Sequence, residues 1–174
     1  DFSETPRAEV AALMLARCKI EQARAIRRAE DALERAEEAR GLLDEAESLL
    51  VEFIHTHPKG GFPPAALGWG GAAAYENTQW GSAVKFQLDR LDMQPTREIT
   101  GTVLRECDMI FEKLLQSPET AGANVWMDPQ QTFDAAAAAR HPVVARLFVQ
   151  HCIDPAAQAG GLGKNLLEQA ESAA

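Results

Sequence analysis

The sequence contains no long apolar run, since its longest uninterrupted stretch of apolar side chains, residues 10–16, covers only seven positions. A helix that crosses a bilayer needs about 20 such residues, so we expect a soluble chain with no transmembrane segment. Basic side chains are outnumbered by acidic ones, 17 against 26, and the net charge is −9. Because phosphate binding depends on a concentrated basic surface, nucleic acid is excluded as a partner.

Cysteine is scarce, and the strand-type alternation of apolar and polar residues is absent. Cys18, Cys107 and Cys152 lie far apart and form no Cys-x-x-Cys pair. That spacing does not indicate a disulfide framework or a zinc ribbon. Because no segment alternates between apolar and polar residues as a strand does, the sequence predicts an all-α fold. We expect a helical bundle of about four main helices in a single domain that covers residues 1–174.

Residues 6–57 predict one very long N-terminal helix. No proline interrupts them, and apolar side chains recur every three or four positions, which is the stripe of an amphipathic helix. At 1.5 Å per residue such a helix would be about 75 Å long, so part of it should project from a compact bundle. Gly41 is its weakest position. We expect a kink there rather than a turn, because Leu42 and Leu43 provide no N-cap.

Residues 58–78 are rich in glycine, proline and alanine, and clusters of glycine and proline between helices are typical of loops. They therefore predict a long packed loop. The loop also carries aromatic side chains that must be covered by other protein. The rest of the bundle is predicted in residues 79–153. Thr78 and Thr96 are expected to cap its first two helices, and Pro142 to kink a later helix or begin a new one. Residues 154–174 predict a short C-terminal helix.

A possible metal site lies where the long helix ends, at Glu52, His55 and His57. The His-Thr-His-Pro sequence resembles the signature of JAMM-type metalloproteases, but Gly68 stands where that family needs an aspartate. Glu52 and His55 have the Glu-x-x-His spacing that is similar to ferritin-like di-iron bundles, which need a second such pair that this chain lacks. We therefore predict no metal and no cofactor, and retain these three residues as candidate ligands.

The charge order of the long helix indicates a protein partner. Residues 17–28 carry five basic side chains and one acidic one, whereas residues 30–52 carry nine acidic and two basic. The helix dipole favours the opposite order, so we expect a neighbouring helix of complementary charge. The predicted partner-binding residues are the charged Arg24, Arg27, Arg28, Glu34, Glu37 and Glu38 and the aromatic Phe62, Trp69, Tyr75 and Trp80.

The function predicted from these features is that of a non-catalytic accessory subunit, bound to other protein subunits of a larger assembly. A chain that begins at Asp1 without a leader is interpreted as a processed organellar or exported protein, or as a trimmed chain. We therefore expect a peripheral subunit of a photosynthetic or respiratory membrane complex. Two alternatives remain open. One is a metal-binding protein or enzyme that uses Glu52, His55 and His57, and the other is a self-associating antiparallel coiled coil.

Overall fold

The computed structural model describes residues 6–58, 61–116 and 140–152. Helices make up 84% of these residues, and no strand occurs among them. The predicted all-α helical bundle is therefore confirmed.

The chain divides into two compact units, Asp1–Gln79 and Trp80–Ala174. The single-domain interpretation stays a prediction. The first unit contains α1 (Pro6–Arg28), α2 (Ala36–Thr56) and α3 (Pro63–Glu76), and the second contains α4 (Trp80–Met93), α5 (Arg97–Gln116) and α6 (Pro142–Cys152).

The prediction of one helix over residues 6–57 is wrong, because residues 29–35 form turns and the chain reverses. α1 and α2 lie antiparallel, with Lys19 of one helix paired to Glu45 of the other. A single straight helix would leave its apolar stripe in water, whereas the hairpin buries the stripe against itself. The buried stripe consists of Ala16, Ile20, Ala23 and Ile26 of α1 and Ala39, Leu43, Ala46, Leu50 and Phe53 of α2.

The chain does not turn at Gly41, and the kink expected there stays a prediction. Gly41 lies inside α2, which is one uninterrupted helix from Ala36 to Thr56. The chain reverses instead at residues 29–35, where the turn leaves two helices of nearly equal length, 23 and 21 residues. That position lets the two halves of the stripe cover each other.

The predicted loop over residues 58–78 is also wrong, because most of it is the helix α3. Pro63 and Pro64 occupy its first turn, where a missing backbone N–H costs nothing. Glycine is a poor helix former and alanine is a good one, so a segment that contains both has no clear preference for helix or loop. Burial of the segment in the first unit favours the helix. The buried side of α3 consists mainly of small residues: Ala66, Gly70, Gly71, Ala73 and Ala74.

Thr78 ends α3 rather than capping α4 as predicted. Its φ is 57°, in the left-handed region, and its N–H donates to Tyr75 O at 3.1 Å. The next N–H, that of Gln79, donates to Ala74 O at 2.9 Å. This pair of bonds is the Schellman arrangement, which usually has glycine where Thr78 stands.

In the second unit, α4 begins within two residues of Thr78 and α5 directly after Thr96, close to where the sequence predicts them. α4 begins at Trp80, and α5 is capped by Thr96, whose hydroxyl oxygen accepts a hydrogen bond from Ile99 N at 3.2 Å. Pro142 is the first residue of α6, so it begins a helix instead of kinking one. Cys107 is fully buried, and its burial, assisted by Glu106, raises the pKa of its thiol to about 12.

Two predictions lie outside the described residues. These are the part of the predicted bundle over residues 117–139 and the short C-terminal helix over residues 154–174.

Candidate functional site

Part of the split charge that predicted a partner is paired within this chain. Because α1 and α2 are antiparallel, the basic half of residues 6–57 lies beside the acidic half, and Lys19 Nζ contacts Glu45 Oε2. The neighbour of complementary charge is therefore the next helix of the same chain. This pairing leaves less of the charge pattern for an external partner than the sequence indicated.

Arg24 and Arg27 both bind Glu76 at the end of α3. Arg24 Nε lies 3.1 Å from Glu76 Oε1, and Arg27 donates to the backbone oxygen of Glu76 and lies 3.5 Å from its carboxylate. A helix C-terminus attracts cations, so these two arginines fix α3 on α1. Arg28, the third predicted residue of this set, is exposed.

The three predicted acidic residues lie on and after the turn, and all are exposed. Glu38 pairs with Arg35 at 2.8 Å, and this hydrogen bond lowers the pKa of the Glu38 carboxyl. Glu37 lies 3.6 Å from Arg40. Exposed pairs of this kind contribute little stability, so a partner can replace them at little cost. Because Glu34, Glu37 and Glu38 are exposed, they are accessible to a partner.

The four predicted aromatic residues are half-buried, three of them in the first unit and Trp80 in the second. Phe62 and Trp69 pack against the core of the first unit, and the guanidinium carbon of Arg17 lies 4.9 Å from the centre of the Trp69 ring. Tyr75 is at the end of α3, whereas Trp80 opens α4 in the second unit. Phe62 and Trp69 are therefore largely covered by the protein's own helices.

The structure brings together two of the three candidate metal ligands. Glu52 and His55 line an open groove of about 600 Å³ beside Asp44 and Glu47. His57 does not line it, because its ring stacks on Phe53 with centroids 4.9 Å apart. Among residues 6–58, 61–116 and 140–152, no group of three or more histidine, cysteine, aspartate or glutamate side chains is arranged to hold a metal ion. The metal-binding alternative stays a prediction.

The groove also contains a perturbed carboxyl group. Partial burial, followed in size by the nearby Asp44 carboxylate, raises the pKa of Glu47. Asp44 itself accepts a hydrogen bond from Asn77 Nδ2 at 2.6 Å, and Gln79 Nε2 lies 3.4 Å away. These contacts connect the middle of α2 to the end of α3, which gives Asp44 a structural role.

An apolar surface on the outside of α1 was missed by the sequence analysis. Val10, Met14 and Leu15 are 40%, 44% and 51% exposed, respectively, and Ala11 and Cys18 beside them are also exposed. The signal was the run over residues 10–16, which is long enough to make both sides of a helix apolar. The hairpin covers only one of these sides. We call the exposed side, formed by Val10, Ala11, Met14, Leu15 and Cys18, the outer face of α1.

The second unit has a separate cleft of about 390 Å³ around His141, which precedes α6. The side chain of His141 is only 8% exposed, and its Nε2 lies 3.0 Å from Asp92 Oδ1. This buried nitrogen is close to the carboxylate without a hydrogen bond of good geometry to it. Burial lowers the pKa of His141 more than Asp92 raises it. Arg140 NH1 lies 3.1 Å from the same carboxylate.

Most of the remaining lining of this cleft among the described residues is apolar: Leu91, Pro95, Leu104, Pro142, Val143 and Val144. No pattern in the sequence predicts that Asp92 and His141 meet, because the two residues lie far apart in the chain.

No protein-family model, curated protein or solved structure matches this chain. Within the described part of the chain, no helix is both long and apolar enough to cross a membrane.

Proposed function

We propose that this protein is a non-catalytic accessory subunit that docks onto a larger protein assembly through the outer face of α1. The observation that carries the proposal is the exposure of Val10, Met14 and Leu15 on one side of a single helix. Apolar side chains grouped on a surface are typical of sites that contact another protein. The occupant that fits is an apolar helix face of another subunit, because no charged side chain interrupts residues 10–16.

The docking surface differs from the one predicted on the sequence. A projecting helix is replaced by the outer face of a hairpin, and Phe62 and Trp69 are partly covered. The exposed residues Arg28, Glu34, Glu37 and Glu38 are charged positions available at the turn end of the hairpin. We also propose that the assembly is an organellar photosynthetic or respiratory complex and that this protein is peripheral to it. This part of the proposal rests on the all-α architecture alone.

The test is the native size of the protein in a gentle extract of its source. We expect migration with a particle much heavier than the 18.9 kDa chain. Met14→Glu combined with Leu15→Glu should weaken this association at least about tenfold, because the two charges would lie in an apolar contact. Val143→Glu is the matched control, since Val143 is 55% exposed on α6.

The control variant should stay in the particle, and circular dichroism should show that all variants keep their helices. A free wild-type monomer, or a double variant that stays associated as tightly as the wild type, would contradict the proposal.

A further inference from the structure

The turn between α1 and α2 is built from residues that favour helix. Residues 29–35 read Ala-Glu-Asp-Ala-Leu-Glu-Arg and include neither glycine nor proline, the usual turn residues. The turn also keeps a helix-type hydrogen bond, from Arg35 N to Asp31 O at 3.2 Å. The side chains of the same two residues form an ion pair at 3.8 Å with the spacing of helix neighbours. Little therefore opposes helix formation through this turn.

The apolar stripe continues through the turn without losing its phase. From Ile26 it runs through Ala29, Leu33 and Ala36 to Ala39 in steps of three or four. A hairpin does not require this continuity, because a turn can join two helices in any rotational phase. The hairpin also leaves Leu33 93% exposed. The stripe thus extends across residues that the hairpin does not use for packing.

We propose that a second copy of this chain exchanges α1 with the first, and that residues 29–35 become helical in the resulting dimer. Each chain then has one helix from α1 through α2, and α1 of each copy packs against α2 and α3 of the other. Exchange of an identical element is a low-cost route to a dimer, because it reuses the contacts of the monomer.

The register of the hairpin fits this arrangement. Lys19 and its partner Glu45 lie an equal number of residues before and after Ala32. Gln22 and Leu42, which line one small groove, do so as well. Two long antiparallel helices related by a two-fold axis at Ala32 therefore keep the Lys19–Glu45 pair and the Gln22–Leu42 neighbourhood.

The exchange adds contacts that the monomer lacks. Leu33 follows Ala32 directly and would lie beside Leu33 of the second copy, so its apolar surface leaves water. The turn residues gain helical hydrogen bonds. The contacts of Arg24 and Arg27 with Glu76 form between copies instead of within one.

The first experiment uses the native Lys19–Glu45 contact as a reporter. Unlabelled and ¹⁵N-labelled chains are unfolded together, refolded at high concentration and treated with a carbodiimide, which joins an amine directly to a carboxylate. In the dimer fraction we expect about half of the Lys19–Glu45 cross-links to join a labelled to an unlabelled chain, the statistical value for a symmetric exchange.

Lys85 and Asp89 provide the internal control. They lie 2.8 Å apart within α4, so their cross-link must always join residues of one chain. A dimer whose Lys19–Glu45 cross-links are all within single chains would overturn the proposal. A chain that sediments as a monomer at every concentration would overturn it as well.

The second experiment changes the turn. Leu33→Gly removes a helix former and the side chain at the two-fold axis, so we expect the dimer dissociation constant to rise at least about tenfold. Ala32→Gly also lowers helix propensity but removes only a methyl group, so it should have a smaller effect. The controls are Val143→Ala, in the second unit, and Met14→Glu, on the outer face of α1, and neither should change the constant. A dimer unaffected by Leu33→Gly, or disrupted by Met14→Glu, is not an exchanged dimer.

Discussion

Thr78 is the residue whose backbone conformation fits its side chain least well. A branched side chain in the left-handed region is strained, and Thr78 is the only non-glycine residue with a positive φ in the described ranges. It stays there because the two hydrogen bonds that close α3 require this conformation.

Replacing Thr78 by glycine should stabilise the protein. We expect Thr78→Gly to raise the free energy of unfolding by about 0.5–1 kcal/mol, since relief of the strain exceeds the added entropy of the unfolded chain. Urea denaturation of the variant and the wild type measures the difference. Thr102→Gly, inside α5, should instead lower the free energy of unfolding by about 0.3–0.5 kcal/mol, the difference in helix propensity between threonine and glycine. If both variants lowered the free energy of unfolding equally, Thr78 would not be strained.

His141 should make stability depend on pH. Because burial lowers its pKa from the ordinary 6.5, the unfolded chain binds a proton before the folded one does as the pH falls. The free energy of unfolding should therefore decrease as the pH falls below about 6.5. His141→Gln should make this decrease less steep. Urea denaturation between pH 7.5 and 5.5 measures both slopes, and identical slopes would contradict the assignment.

At the scale of single helices, Gly41 offers a direct test of helix propensity. It lies inside α2, and no atom is within 4 Å of the position that a Cβ would take. Gly41→Ala should therefore raise the free energy of unfolding by about 0.5–1 kcal/mol, because alanine loses less backbone entropy in a helix. Gly101→Ala, in α5, has the same open surroundings and should behave alike. The measurement is denaturant unfolding, and a lower free energy of unfolding for both variants than for the wild type would contradict this explanation.

Helices were predictable from the sequence where local signals and packing agree. The cap at Thr96 was found as predicted, and Pro142 begins a helix, which is one of the two alternatives expected of it. Both features depend on nearby backbone groups. The turn at residues 29–35 was not predictable, since it contains no helix breaker and forms because the stripe buries itself. α3 was missed because its glycines indicate a loop until the surface that buries them is known.

The candidate site was less predictable than the helices. The sequence identified Arg24 and Arg27 as interacting residues, but their partner proved to be Glu76 of the same chain. It identified Glu52 and His55 as neighbours, which one helical turn ensures, but not the stacking of His57 on Phe53. Exposure of Val10 and Met14 depends on which side of α1 the hairpin covers, and periodicity alone does not give that side.

For the molecule as a whole, the single-domain prediction can be tested by weakening one compact unit at a time. Leu50 is fully buried in the first unit, and Ile110 is 2% exposed in the second. Truncating either to alanine should cost about 2–5 kcal/mol. In one cooperative domain, Leu50→Ala should speed global amide hydrogen exchange equally in peptides from both units, and so should Ile110→Ala. Faster exchange confined to the truncated unit would show two domains.

The composition of α3 has a consequence for the order in which the first unit folds. A helix with three glycines does not persist alone, so it should form only after α1 and α2 present the surface that buries it. Substitutions such as Ala73→Gly should then have φ-values near zero, whereas Leu43→Ala should slow folding. Stopped-flow chevron plots measure both. On this account α3 determines how long the folded unit lasts before it unfolds, while the hairpin determines how fast it forms.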